Sequence, residues 1–202
     1  PLMQKVTVQA NTKKKMTPLR SDASAAYQHY ERKNIKIRIS AQAKSFTNLK
    51  QIQYKFVKKG TSKGSVPYKM IGRVYVRFVT DAGIDEMQLS GIAVDKKAPT
   101  KTKIKVNRSG IKTLKTSTKT SYNKKIKKSA KFVFSASYGI SGKSKTQYKI
   151  VPKGKKASKY RWKTANKITY KKKNKKVSIY ARFIDKCGNI TQRKSSGFYI
   201  TK

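Results

Sequence analysis

The sequence predicts an all-β chain of two tandem β-sandwiches, and three observations predict it. Polar and apolar residues alternate over short stretches, turn residues separate those stretches, and one half of the chain repeats the other. Alternation places successive side chains on opposite faces of a strand. Lys36-Ile37-Arg38-Ile39-Ser40 shows it cleanly, and Lys131-Phe132-Val133-Phe134-Ser135 shows it over a more apolar run. Lys59-Gly60, Ser141-Gly142, Lys153-Gly154 and Cys187-Gly188-Asn189 punctuate the strands, because Gly supplies positive φ and Asn tolerates it. The repeat aligns Gln53-Tyr54-Lys55-Phe56-Val57 with Gln147-Tyr148-Lys149-Ile150-Val151. It also aligns Val74-Tyr75-Val76-Arg77-Phe78 with Ile179-Tyr180-Ala181-Arg182-Phe183, and Ile37-Arg38-Ile39-Ser40-Ala41 with Phe132-Val133-Phe134-Ser135-Ala136. The offsets of 94, 105 and 95 residues keep one order while loop lengths differ. A period of that size is a whole domain, not a solenoid unit.

In chain order the first repeat reads as strands at 5–9, 34–41, 51–58, 68–71, 73–80 and 87–94. The second reads as strands at 103–107, 130–137, 146–151, 167–170, 177–184 and 196–201. Segment 11–33 shows neither period and reads as an irregular insertion or long loop, with one helical turn at 23–30. Pro99 keeps the chain extended, so the junction falls at 95–100 and the domains at 1–95 and 96–202. Each half is near the commonest domain size. With 12 Tyr, 7 Phe and 1 Trp the chain has the aromatic area for two modest cores.

Charge is the loudest feature. Residues 1–95 hold 18 basic and 6 acidic side chains, and residues 96–202 hold 34 basic and 1 acidic, so the halves carry +12 and +33 of the chain's +45. Such a field draws polyanions and opposes compaction. Of the 52 cations 43 are Lys, a hydrated point charge without the planar fork that reads phosphate or guanine bidentately. The bias favours diffuse attraction. In the second repeat the lysines cluster: Lys124, Lys125, Lys127 and Lys128; Lys155 and Lys156 beside Lys153; Lys171, Lys172, Lys173, Lys175 and Lys176. Tyr160, Trp162 and Tyr170 are interleaved. Basic runs with aromatics hold nucleic acid through stacking and phosphate contacts, and they meet sulfated glycans or teichoic acids equally well.

A second candidate site follows from alternation. Val74, Val76 and Phe78, with Ile179, Ala181 and Phe183, read as core rows. Tyr54 and Phe56, with Tyr148 and Ile150, read as core-facing too. Tyr75 with Arg77, and Tyr180 with Arg182, then point outward, beside Gln53 with Lys55 and Gln147 with Lys149 on the neighbouring strand. One reading is cross-strand packing of Tyr rings on cation stems. The other is a repeated contact face, since Tyr and Arg anchor interfaces. Both stand at this stage.

Catalytic chemistry lacks its parts. The single histidine, His29, lies in the unpatterned segment and reads as a solvent-exposed loop residue. Only Asp81, Asp85 and Glu86 cluster as acids, and they read as hairpin salt bridges before a Ca²⁺ site. Asp185 is the sole acid of the second repeat, so paired-carboxylate chemistry has no candidates there. No phosphate loop and no Cys/His ligand spacing appears, so no cofactor and no metal is implied. Cys187 is alone and makes no internal disulfide. No apolar run is long enough to span a bilayer. The chain begins at Pro1 without Met and reads as a monomeric fragment of a longer protein.

Val94-Asp95-Lys96-Lys97-Ala98-Pro99-Thr100 resembles the joint that opens many bacterial immunoglobulin-like repeats. The run Ile179 to Ile184 followed by Asp185-Lys186-Cys187-Gly188-Asn189 resembles their late strand and Asp-x-Ala-Gly-Asn hairpin, with Cys187 in the Ala place. Thr80-Asp81-Ala82-Gly83-Ile84 departs from that hairpin by lacking the Asn. The resemblance implies two tandem immunoglobulin-like β-sandwich domains of a Gram-positive (Firmicutes) cell-surface or secreted protein, extracellular and non-enzymatic. It implies adhesion or binding to a wall polyanion or sulfated glycan. A passive stalk, capture of a host protein such as immunoglobulin or mucin, and nucleic-acid binding are the alternatives. Fold alone does not choose among them.

Overall fold

A computed structural model describes residues 1–10, 18–19, 27–58, 71–89 and 91–202. The chain is all-β and folds as two compact units, Pro1–Lys96 and Lys97–Lys202. Among the described residues no α-helix forms, and no helix is long and apolar enough to cross a membrane.

Unit 1 contains β1 (Met3–Ala10), β2 (Pro18–Leu19), β3 (Tyr27–Glu31), β4 (Ile37–Ala43), β5 (Leu49–Lys58), β6 (Ile71–Thr80), β7 (Gly83–Leu89) and β8 (Gly91–Val94). β1 and β4 pair antiparallel. β6 lies at the centre of the other sheet, pairing β5 on one side and β7, then β8, on the other. Alternation along β6 buries Val74, Val76 and Phe78, which pack with Met87, Leu89, Val8 and Met3. Tyr54 departs from the expected core position. It stands opposite Val76 in register, yet it is 68% exposed. Among the described residues β5 pairs only β6, so a ring on that edge strand has no neighbour on its far side. The strand expected at 68–71 lies outside the described residues except for Ile71, which opens β6.

Unit 2 contains β9 (Thr100–Val106), β10 (Ser109–Gly110), β11 (Thr113–Lys115), β12 (Lys124–Lys127), β13 (Ala130–Ser137), β14 (Lys143–Pro152), a 3₁₀ turn (Ala157–Lys159), β15 (Lys163–Thr164), β16 (Lys167–Tyr170), β17 (Val177–Asp185), β18 (Ile190–Ser195) and β19 (Phe198–Thr201). One sheet runs β9-β13-β16 and the other β18-β17-β14-β15. That A-B-E layer against a G-F-C-C′ layer is the strand order of an immunoglobulin-like sandwich. The inward rows meet in a single apolar cluster. Phe132 and Phe134 of β13, Ile179, Ala181 and Phe183 of β17, and Phe198 and Ile200 of β19 are its centre. The Phe132 and Phe198 rings sit 5.1 Å apart, and Tyr170 meets Phe198 edge-on at 5.8 Å. Tyr170 is therefore core and not a surface partner of the lysines.

The segment read as an irregular insertion is a strand-bearing part of the duplication. In unit 2 the last strand breaks at Ser196-Gly197 into β18 and β19, and β7 and β8 hold the corresponding places in unit 1. In both units two strands between the first two long strands pair with these last strands. β2 joins β7 antiparallel and β3 joins β8 parallel, just as β11 joins β18 antiparallel and β12 joins β19 parallel. His29 consequently lies on a strand, and residues 27–30 are extended, not helical. Two-residue strands and parallel ladders leave no hairpin signal, so pattern reading passed over them. The glycine is required by close approach. The Gly197 N–H donates to the Ser121 carbonyl at 2.6 Å. A Cβ there would lie 2.2 Å from the Tyr122 ring and 2.7 Å from that carbonyl oxygen.

The hairpin after β6 differs from the one after β17, as the sequence indicates. Asp185 is buried and accepts the Asn189 N–H and Nδ2, both at 2.9 Å, while Gly188 takes φ +86°. Asp81 instead accepts the Asn48 N–H at 3.0 Å and Nδ2 at 2.9 Å. The expected acidic hairpin bridges resolve into this cap, an Asp85 bond to the Leu2 N–H and an Arg77–Glu86 pair.

Two stability predictions follow. Gly197→Ala forces Tyr122 and the adjoining backbone apart and costs unit 2 about 1–3 kcal/mol, read as a lowered melting temperature by calorimetry. Gly110→Ala, which meets nothing within 4 Å, leaves it in place. Asp81 is held below its ordinary value of 3.8, first by the Asn48 backbone bond and then by its side chain. The folded state therefore holds the Asp81 proton less tightly than the unfolded chain. Its contribution is complete above that value and is lost as pH falls through the depressed one. Urea titrations across pH 2–7 show a shallower acid loss in Asp81→Asn.

Candidate functional site

The repeated outward row assembles in both units, and the two copies have opposite fates. In unit 1, Gln53, Arg77 and Glu86 stand side by side across β5, β6 and β7, and Lys55, Tyr75 and Gln88 form the next such row. Arg77 Nε and Nη2 both donate to Gln53 Oε1, at 2.9 and 2.6 Å, and Nη1 lies 3.9 Å from Glu86. Lys55 Nζ sits 5.4 Å above the centre of the Tyr75 ring. These side chains border a groove of about 810 Å³.

In unit 2 the equivalent rows are Gln147, Arg182 and Gln192, then Lys149, Tyr180 and Lys194. Arg182 Nε donates to Gln147 Oε1 at 2.7 Å, repeating the Arg77 arrangement. Here the face is closed. Trp162 lays its ring 4.4 Å from the Arg182 guanidinium and 4.6 Å from Lys149 Nζ. Lys149 Nζ also donates to the Ala157 carbonyl at 2.6 Å and lies 3.4 Å from that of Tyr160. Lys149 was expected to face solvent; it is 7% exposed, because segment 157–164 folds over it. Burial, then the Arg182 charge, holds its ammonium below the usual lysine range. Trp162 and Tyr160, grouped in sequence with the lysine clusters, belong instead to this cover. The packing reading describes unit 2, and unit 1 keeps the same row beside a groove.

The lysine clusters gather at one end of unit 2. β12 carries Lys124, Lys125 and Lys127 alongside β19, and the Lys128 N–H donates to the Thr201 carbonyl. Lys173 bridges to Ile200, and the Asn174 N–H donates to the same residue's carbonyl. The Lys153 N–H donates to Lys176, tying the turn that bears Lys155 and Lys156 to the Lys171–Lys176 run. Lys153 Nζ also lies 5.6 Å from the Tyr122 ring centre, beside β12. Three runs distant in sequence thus meet around β19, and all their lysines are exposed.

Gln88 and Met87 line the unit 1 groove and escaped the sequence reading, and Glu86, read there as a hairpin acid, joins them. The available signal was alternation on β7, which puts Glu86 and Gln88 on the face of Arg77 and Tyr75. Among the described residues no group of three or more His, Cys, Asp or Glu is placed to hold a metal ion.

No protein-family model and no curated protein matches the chain. Among solved structures, the fibronectin(III)-like modules of Clostridium thermocellum CbhA align over 92% of this chain and 94% of that one, at 15% identity and a TM-score of 0.37. So loose an overlap carries no functional argument, and the fold rests on the strand order above.

Trp162→Ala removes the cover from Lys149 and two cation–ring contacts, and lowers unit 2 stability by about 1–3 kcal/mol. Heteronuclear NMR of the lysine amines then finds Lys149 titrating at higher pH than in the parent, as water returns to it.

Proposed function

We propose that this chain is a non-catalytic binding module of a bacterial surface or secreted protein, and that the basic end of unit 2 holds a polyanion such as wall teichoic acid or a sulfated glycan. One observation carries the reading. The only acidic side chain in unit 2 is Asp185, and it is 1% exposed and bonded to Asn189. Every charged side chain on that unit's surface is therefore a cation, and the densest runs converge at β12, β19 and the Lys171–Lys176 turn.

Lysine suits this role. Hydrated ammonium groups on flexible stems follow a repeating phosphate or sulfate chain without demanding one geometry. Affinity then comes from release of condensed counterions and falls steeply with salt. A passive stalk would share the fold but would not need cations gathered at one end. Nucleic acid presents the same phosphate chemistry, yet the tryptophan that would stack on bases, Trp162, already lies over Lys149 and Arg182.

Heparin titrations at several salt concentrations test the reading. The parent binds with a steep negative slope of log affinity against log salt. Substituting Lys171, Lys172 and Lys173 by Ala reduces both affinity and slope. Substituting Lys103, Lys105 and Lys131, which are exposed on the opposite layer, changes them much less. Equal losses from the two triple variants would show a uniform field with no site.

A further inference from the structure

The closed face of unit 2 is a template for what the groove of unit 1 takes. In unit 2, segment 157–164 brings three things to the Gln-Arg and Lys-Tyr rows. These are an indole on Arg182, two backbone carbonyls at Lys149, and a short strand, β15, pairing with Gln147 and Tyr148.

Unit 1 has the same floor. Arg77 is oriented by Gln53 as Arg182 is by Gln147, and no ring lies on Arg77 among the described residues. The backbone of Gln53 and Tyr54 has no second strand beside it among those residues. Gln88 lines the groove, is 3% exposed, and its Nε2 has no hydrogen-bond partner among the described residues. A buried donor left unpaired is costly, and an incoming acceptor would satisfy it. The chain offers no second tryptophan, since Trp162 is its only one. The connection from β5 to β6 is also half as long, 12 residues against 24 between β14 and β17.

We propose that the unit 1 face binds in trans what unit 2 supplies in cis: an acidic, tryptophan-bearing peptide segment of a partner protein. Its indole lies on Arg77, and its backbone carbonyls meet Lys55 and the Gln88 amide. The groove volume lies in the range of ligand sites. The chain's +45 charge selects an acidic segment over a basic one. This site is separate from the basic end of unit 2, so either reading can fail alone.

The test is NMR titration of the full chain with a capped nine-residue peptide holding one tryptophan among Asp and Glu residues. Its twin with alanine in place of tryptophan is the control. The Arg77 Nε–H and Gln88 side-chain amide signals are expected to shift saturably. The alanine twin binds about tenfold more weakly, the loss of one desolvated cation–ring contact. Arg77→Ala abolishes the difference between the peptides, while replacing Lys171, Lys172 and Lys173 by Ala leaves it intact. Equal affinity for both peptides would overturn the proposal, as would absence of any shift. Shifts that appear only after Tyr68→Ala would overturn it in favour of the chain's own connecting segment. Shifts that grow with protein concentration alone would overturn it in favour of a second copy.

Discussion

Everything else rests on the alternation along β6 in unit 1 and β17 in unit 2. Val74, Val76 and Phe78 in one unit, and Ile179, Ala181 and Phe183 in the other, are buried to near completeness at the centre of their cores. Because the strand period is two, fixing that inward row fixes the outward one. A slip by one residue would carry Arg77 and Arg182 into the apolar interior, where an unpaired cation is strongly disfavoured. Register, core and candidate sites are therefore one decision. The constraint matters more in unit 2, where 34 basic residues in the second half repel one another and the aromatic core must outweigh that repulsion.

From that shared scaffold the two units diverge by what covers the outward rows. A tryptophan and a lysine separated by twelve residues meet in unit 2 because β14 turns back through the 3₁₀ turn at Ala157–Lys159 into β15. The result turns a polar face into a packed one and lowers the pKa of a lysine without any acidic partner. Unit 1 keeps the Gln, Lys, Tyr and Arg but has neither the long connection nor the indole. Duplication has thus preserved a device whose packing partner is present, among the described residues, in unit 2 alone. The basic end is different in kind. Its lysines are placed mainly by the parallel β12–β19 ladder and by backbone bonds at Lys128, Lys153 and Asn174.

Strands with strong alternation were legible from sequence to the residue: 130–137 and 167–170 match β13 and β16. Strands that are polar or very short were not. β18 reads Ile-Thr-Gln-Arg-Lys-Ser, too polar to signal a strand, yet it pairs with β17 along five residues. For the same reason the break at Ser196-Gly197 stayed hidden, along with the paired segments at Pro18–Leu19 and Tyr27–Glu31. The Gln, Lys, Tyr and Arg rows were legible because they lie on strongly periodic strands. The burial of Lys149 was not, since a lysine in an alternating pattern reads as solvent-facing and its cover arrives from a loop. Tyr54 erred in the opposite sense: period two gives its face, but only tertiary structure decides whether that face is covered.

Cysteine accessibility along β6 probes the account at its root. With Cys187 replaced by serine, single cysteines are placed at positions 74 to 79 and reacted with a water-soluble maleimide under native conditions. Slow labelling at 74, 76 and 78 with rapid labelling at 75 and 77 is the pattern required. Labelling that is uniform along the strand, or fastest at 76 and 78, would contradict it.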